Sequence, residues 1–108
     1  MTQHYRGGAA IIEDLFPGAR LEFLHSESMT VAMWDFDAGC VVATHAHPAE
    51  QVTHCSEGVL EVNLDGQVIT LQPGDSVVIP SGVPHSARAQ AAASGFDAFH
   101  PVREDYRF

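Results

Sequence analysis

The chain has 108 residues, a length that suits one domain, and carries five arginines, no lysine and a formal charge of −9. An acidic surface repels phosphate backbones and anionic headgroups, which argues against nucleic acid and against a membrane surface as partners. An anionic small molecule stays open, because one metal ion and one or two arginines dominate the field inside a pocket.

From the amino terminus, Met1–Gly8 shows no basic-then-apolar leader pattern, and no later apolar run approaches the length of a membrane span. Ile11–Phe16 reads as a weak helical turn. Met29–Phe36 reads as a strand, followed by Val41–His47, Gln51–Cys55, Val59–Leu64, Val68–Leu71, Ser76–Ile79 and Phe96–Val102. Asp65-Gly66 is a tight hairpin signal, and Pro73-Gly74-Asp75 and Pro80-Ser81-Gly82 are further turns. Ala89–Ser94 reads as a short loop-like insert. Short strands at regular spacing predict an all-β sandwich or barrel in a single domain over residues 1–108. Cys40 and Cys55 form no C-x-x-C pair and read as free thiols in a reducing compartment, so a cytoplasmic location is expected. Trp34 and Phe36 read as core or dimer surface, Cys55 as a small buried hydrophobe, and Arg88 as exposed.

His45 and His47 stand two apart on a predicted strand, which puts both imidazoles on one face about 7 Å apart along the backbone. His85 follows the turn at Pro80–Pro84 and opens a distant strand. Three imidazoles meeting there would hold a divalent transition metal. His4, His25, His54 and His100 are assigned no role.

In the last strand, Asp97, Phe99 and Arg103 share one parity, so an unbroken strand turns all three to one face. Pro101 disturbs that regularity towards the end. Two readings stand. In one, Asp97 transfers protons beside the metal and Arg103 clamps a carboxylate through two hydrogen bonds. In the other, Asp97 and Arg103 form an ion pair that closes the barrel end.

The spacing Gly39-x5-His45-x-His47-x3-Gln51-x6-Gly58 resembles the first cupin motif, and Gly74-x5-Pro80-x-Gly82-x2-His85 resembles the second. The order is right, and a hairpin lies between them. That resemblance implies a short conical double-stranded β-helix, or jelly-roll barrel, with a metal-binding core over about residues 39–103. The chain departs from the pattern with Gln51 in place of the usual Glu and with Ala89 in place of an Asn. The motif gap to Gly58 makes Gln51 the fourth ligand. Strand parity agrees if Pro48 introduces no bulge; otherwise Glu50 is the alternative.

The tail D-x-F-x3-R-E-D at Asp97, Phe99, Arg103, Glu104 and Asp105 resembles the KdgF family of small cupins. Members convert unsaturated uronic acid monosaccharides to linear keto forms in pectin and alginate breakdown. They also tend to carry Gln at the metal. The resemblance implies catalytic roles for Asp97 and Arg103, a pocket wall at Phe99, and a homodimer. Thr53, two beyond Gln51 on the same face, joins the substrate pocket. Together these imply one divalent metal (Ni, Zn, Mn or Fe) held by His45, His47, Gln51 and His85, acting on a small anionic sugar acid. A metal-dependent dioxygenase and a non-catalytic metal- or sugar-binding module are the alternatives, and neither is forbidden by the ligand set.

Overall fold

A computed structural model describes residues 3–108, so the first two residues of the Met1–Gly8 stretch lie outside it. Among the described residues, ten strands run in chain order as β1 Ile11–Glu13, β2 Ala19–His25, β3 Thr30–Phe36, β4 Val41–His45, β5 Glu50–Glu57, β6 Leu60–Leu64, β7 Gln67–Leu71, β8 Ser76–Ile79, β9 His85–Ala89 and β10 Ala93–His100. A 3₁₀ turn, Glu104–Tyr106, follows the last strand. The strands form a six-stranded sheet, ordered β1-β2-β3-β10-β5-β8, and a four-stranded sheet, ordered β4-β9-β6-β7. Every pairing is antiparallel. The architecture is the all-β jelly roll expected from the two motifs.

Alternation drives the packing. On β3, Thr30, Ala32, Trp34 and Phe36 are buried while Val31, Met33 and Asp35 are not. On β5 the inward series is Gln51, Thr53 and Cys55. Leu60, Val62, Leu71 and Ala89 from the four-stranded sheet join Leu21, Trp34, Phe36, Cys55, Ile79 and Phe99 from the six-stranded sheet in one apolar cluster. Trp34 and Phe36 stack with ring centroids 4.7 Å apart. Both cysteines are free and buried. Among the described residues, no helix is long and apolar enough to cross a membrane.

Two glycine-bearing places matter. Asp65 and Gly66 both take positive φ (49° and 91°), the geometry of the tightest hairpin turn between β6 and β7. Gly95 sits at a register shift in the β10–β5 pairing. A side chain there would overlap the carbonyl of His54 and the indole of Trp34.

The elements differ from the sequence reading at five places. Ile11–Phe16 supplies the edge strand β1, not a helical turn, because three residues can pair with β2 whereas so short a run cannot nucleate a helix. Strand β2 was not predicted. The expected strand Val41–His47 ends at His45, after a register shift between Val42 and His45, and Pro48 has no N–H with which to extend it. The expected loop Ala89–Ser94 shrinks to residues 90–92: Ala89 closes β9 and Ala93 opens β10, both buried. The final strand stops at His100, short of Val102 and of Arg103.

Candidate metal centre and adjoining pocket

Cross-strand register assembles the site from two sheets. On the four-stranded sheet, His45 of β4 pairs directly with His85 of β9. On the inner face of the six-stranded sheet, Phe99 of β10 lies between Thr30 of β3 and Gln51 of β5. One row further along, Asp97 lies between Ala32 and Thr53. His47 belongs to neither sheet; it sits in the bend between β4 and β5. The shared strand face expected for His45 and His47 is therefore replaced by a bend that brings the second ring back.

The three rings converge. Centroids are 4.3 Å apart for His45–His85, 4.9 Å for His47–His85 and 5.6 Å for His45–His47. One ring nitrogen from each lies within 4.8 Å of the others. His47 and His85 are buried. In all three, Nδ1 donates to a nearby backbone carbonyl: Ala43 at 2.7 Å, Ala49 at 2.8 Å and Val83 at 2.9 Å. A carbonyl only accepts, so the hydrogen of each neutral ring is on Nδ1 and each Nε2 keeps a lone pair. Burial holds the His47 and His85 imidazoles below their ordinary pKa, and Arg103 adds to the effect, so both rings are neutral at neutral pH.

This donor set fits a divalent cation. His85 Nε2 is buried with no hydrogen-bond partner. His47 Nε2 faces Gln51 Oε1 at 3.0 Å, a lone pair against a carbonyl oxygen. The amide cannot relieve this by turning over, because its nitrogen donates to Thr53 Oγ1 at 2.8 Å and that hydroxyl in turn donates to Asp97 Oδ1 at 2.8 Å. Two acceptors facing each other want a cation between them. Glu50 is exposed, so the parity of β5 itself turns Gln51 inward.

The polar row continues to Trp34, whose Nε1–H donates to the same Oδ1 of Asp97 at 3.2 Å. Burial pushes the Asp97 carboxyl up to about 6, against the opposing pull of its Thr53 and Trp34 hydrogen bonds. His45, Gln51, Thr53, His85, Asp97 and Phe99 line one interior cavity together with Trp34 and Tyr106. Arg103 is placed differently from the unbroken-strand expectation. It precedes the 3₁₀ turn and shares a neighbouring cleft with His47. Its guanidinium lies over Phe99 (4.9 Å) and Tyr106 (4.2 Å). Its ion pair is with Asp105, not Asp97: Nε and Nη2 donate to the two carboxylate oxygens at 3.1 and 2.6 Å. That leaves Nη1, which is buried and unpartnered. Asp105 thus occupies the Nε/Nη2 edge of the fork, and the Nη1/Nη2 edge is the one left for a two-pronged grip on a carboxylate.

The sequence reading missed two members of the site. It took Trp34 as packing only, yet a buried indole N–H needs an acceptor, and Asp97 on the neighbouring strand has the parity to provide one. Tyr106 carries no sequence signal beyond being an aromatic three residues after an arginine.

A cupin-domain family model matches residues 32–95, more than half of the chain. The protein belongs to the cupin family. Among solved structures, this cupin is similar to an RmlC-like cupin from Shewanella frigidimarina, with a TM-score of 0.89 and 32% identity over 98% of this chain and 97% of that one. It is also similar to KdgF from Halomonas sp., with a TM-score of 0.83 and 29% identity over 93% of this chain and 99% of that one. The sequence is 36% identical to a germin-like protein of Arabidopsis thaliana (subfamily 1 member 1) over 77% of this cupin, which spans 44% of that longer chain. The chain is a KdgF-like small cupin with a three-histidine centre able to bind a metal.

Proposed function

We propose that this cupin is a metal-dependent enzyme that converts unsaturated uronic acid monosaccharides to linear keto forms. The observation that carries the reading is the single carboxyl of Asp97, poised near neutrality in the cavity wall and tied through Thr53 to the amide facing the histidine triad. His45, His47, His85 and Gln51 would hold the metal, which supplies Lewis-acid stabilisation of enolate-like charge. Four neutral donors leave its charge uncompensated, which favours an anionic sugar acid over a neutral sugar.

The remaining work falls to this chain's own side chains. Asp97 takes the proton of the ring hemiacetal hydroxyl; the adjacent ring C–O bond breaks to give an aldehyde and an enolate, whose charge sits on the former ring oxygen. Asp97 then gives that proton to the enolate carbon, and the enolate becomes a ketone. The conversion is an isomerisation and consumes no oxidant. Thr53 and Trp34, both donating to Oδ1, fix the direction in which Asp97 presents its other oxygen. Phe99, packed edge-on to His47 with centroids 5.6 Å apart, walls the pocket and excludes water. Arg103 offers its free Nη1/Nη2 edge to substrate oxygens.

The test follows the ultraviolet absorbance of unsaturated galacturonate in the presence of protein loaded in turn with Ni, Zn, Mn and Fe. Faster loss than the spontaneous reaction, without oxygen uptake, is expected. A rate equal to the spontaneous one with every metal rejects the reading, and oxygen consumption by the iron form would favour a dioxygenase.

A homodimer fits the outer face of the six-stranded sheet. Val31 and Met33 of β3 and Phe96 of β10 project there, and Phe96 pairs directly across from Met33.

A further inference from the structure

We propose that His25 is a positioning residue for Arg103, acting through the carboxyl-terminal turn and touching neither the cavity nor the metal ligands. After β10 ends, the chain leaves the sheet, and a three-residue 3₁₀ turn cannot hold its own place. Both ends of that turn are tied to one imidazole. The N–H of Arg103 donates to Thr30 Oγ1 at 2.9 Å. Thr30 Oγ1 lies 2.7 Å from His25 Nδ1, and His25 Nε2 lies 3.1 Å from the carbonyl oxygen of Tyr106.

For the neutral ring the directions close in only one way. The Tyr106 carbonyl can only accept, so Nε2 carries the ring hydrogen. In the neutral ring Nδ1 then accepts, and it accepts from the Thr30 hydroxyl, which receives the Arg103 N–H in turn. Thr30 is fully buried, so no water substitutes for these partners. His25 and Thr30 are cross-strand neighbours on the β2–β3 hairpin, which makes the anchor part of the sheet. What the turn carries is the guanidinium environment: Tyr106 stacks on it, Asp105 holds its Nε and Nη2, and Phe23 backs the Tyr106 ring at 4.5 Å. The orientation of the free Nη1/Nη2 edge of Arg103 is therefore set from the far side of the turn.

The bearing on catalysis rests on the role proposed for Arg103, whereas the anchoring does not, and the experiment separates the two. In nitrogen-15 NMR of the wild-type protein the neutral ring of His25 is expected to be the Nε2–H tautomer. An Nδ1–H ring would overturn the proposal. His25→Phe keeps a ring and removes both hydrogen bonds. Trypsin is expected to cut after Arg103 about tenfold faster in this variant, the factor given by losing one to two net hydrogen bonds of local stability. Cleavage after Arg20 and Arg88 stays unchanged, and His25→Gln, which restores a donor towards Tyr106, recovers much of the protection. Should His25→Phe fail to fold, the isosteric Thr30→Val carries the same test. With unsaturated galacturonate, KM rises more than kcat falls. Wild-type-like cleavage at Arg103 in the folded variants defeats this inference; wild-type protein without turnover defeats the functional reading alone.

Discussion

At the scale of single residues, the site depends on where hydrogens sit. Three Nδ1–H groups bound to carbonyls leave three lone pairs inward, and Thr53 holds the Gln51 amide with its oxygen inward as well. His47 and His85 have folded pKa values below the unfolded 6.5. The unfolded chain therefore binds protons that the folded chain refuses. Stability of the metal-free protein is intact above 6.5 and declines as pH falls below it towards the depressed folded values. Urea midpoints at about pH 7.5 and about pH 5.5 should show this decline, and a His47→Gln/His85→Gln double variant should show a smaller one. Asp97→Asn keeps the hydrogen bonds from Trp34 and Thr53 but removes the proton carrier. Its turnover should fall by about a hundredfold or more, with metal affinity near that of wild type by calorimetry.

At the scale of elements, β10 is the strand on which most depends. It pairs with β3 on one side and β5 on the other and brings Asp97 and Phe99 opposite Thr53 and Gln51. Gly95 makes room for the Trp34 indole that reaches Asp97. Gly95→Ala should cost about 1–3 kcal/mol in urea denaturation, as overpacking does, and should shift the Trp34 fluorescence as the ring moves off. Much of this frame was legible in the chain. The histidine spacing and the glycine turns carry the two motifs, and strict alternation on β5 turned Gln51 and Thr53 inward and Glu50 outward. What escaped had local reasons. Alanines at Ala89 and Ala93 carry weak strand propensity, yet their small size is what burial at the sheet junction needs. β2 mixes Arg20, Glu22 and His25 into its run, so its inward set is hidden. Arg103 reaches the site by a turn after Pro101, and period-two reasoning has no purchase there.

At the scale of the whole molecule, an acidic exterior surrounds a centre built to carry positive charge. The apolar outer patch of the six-stranded sheet should hold two copies together. The wild type is expected to sediment as a dimer and Phe96→Glu as a monomer, and an unchanged mass would remove that face from consideration. One feature of the centre reaches further. Its donors come from opposite walls: His45 and His85 stand on one sheet, Gln51 on the other, and His47 on the bend joining them. An ion gripped by all four acts as a rivet between the walls. Melting temperature should therefore climb with metal concentration and drop on chelation, by the mass-action relation for a ligand that recognises only the folded state. Gln51→Ala, which frees one wall, should flatten that climb even where the histidines still capture the ion.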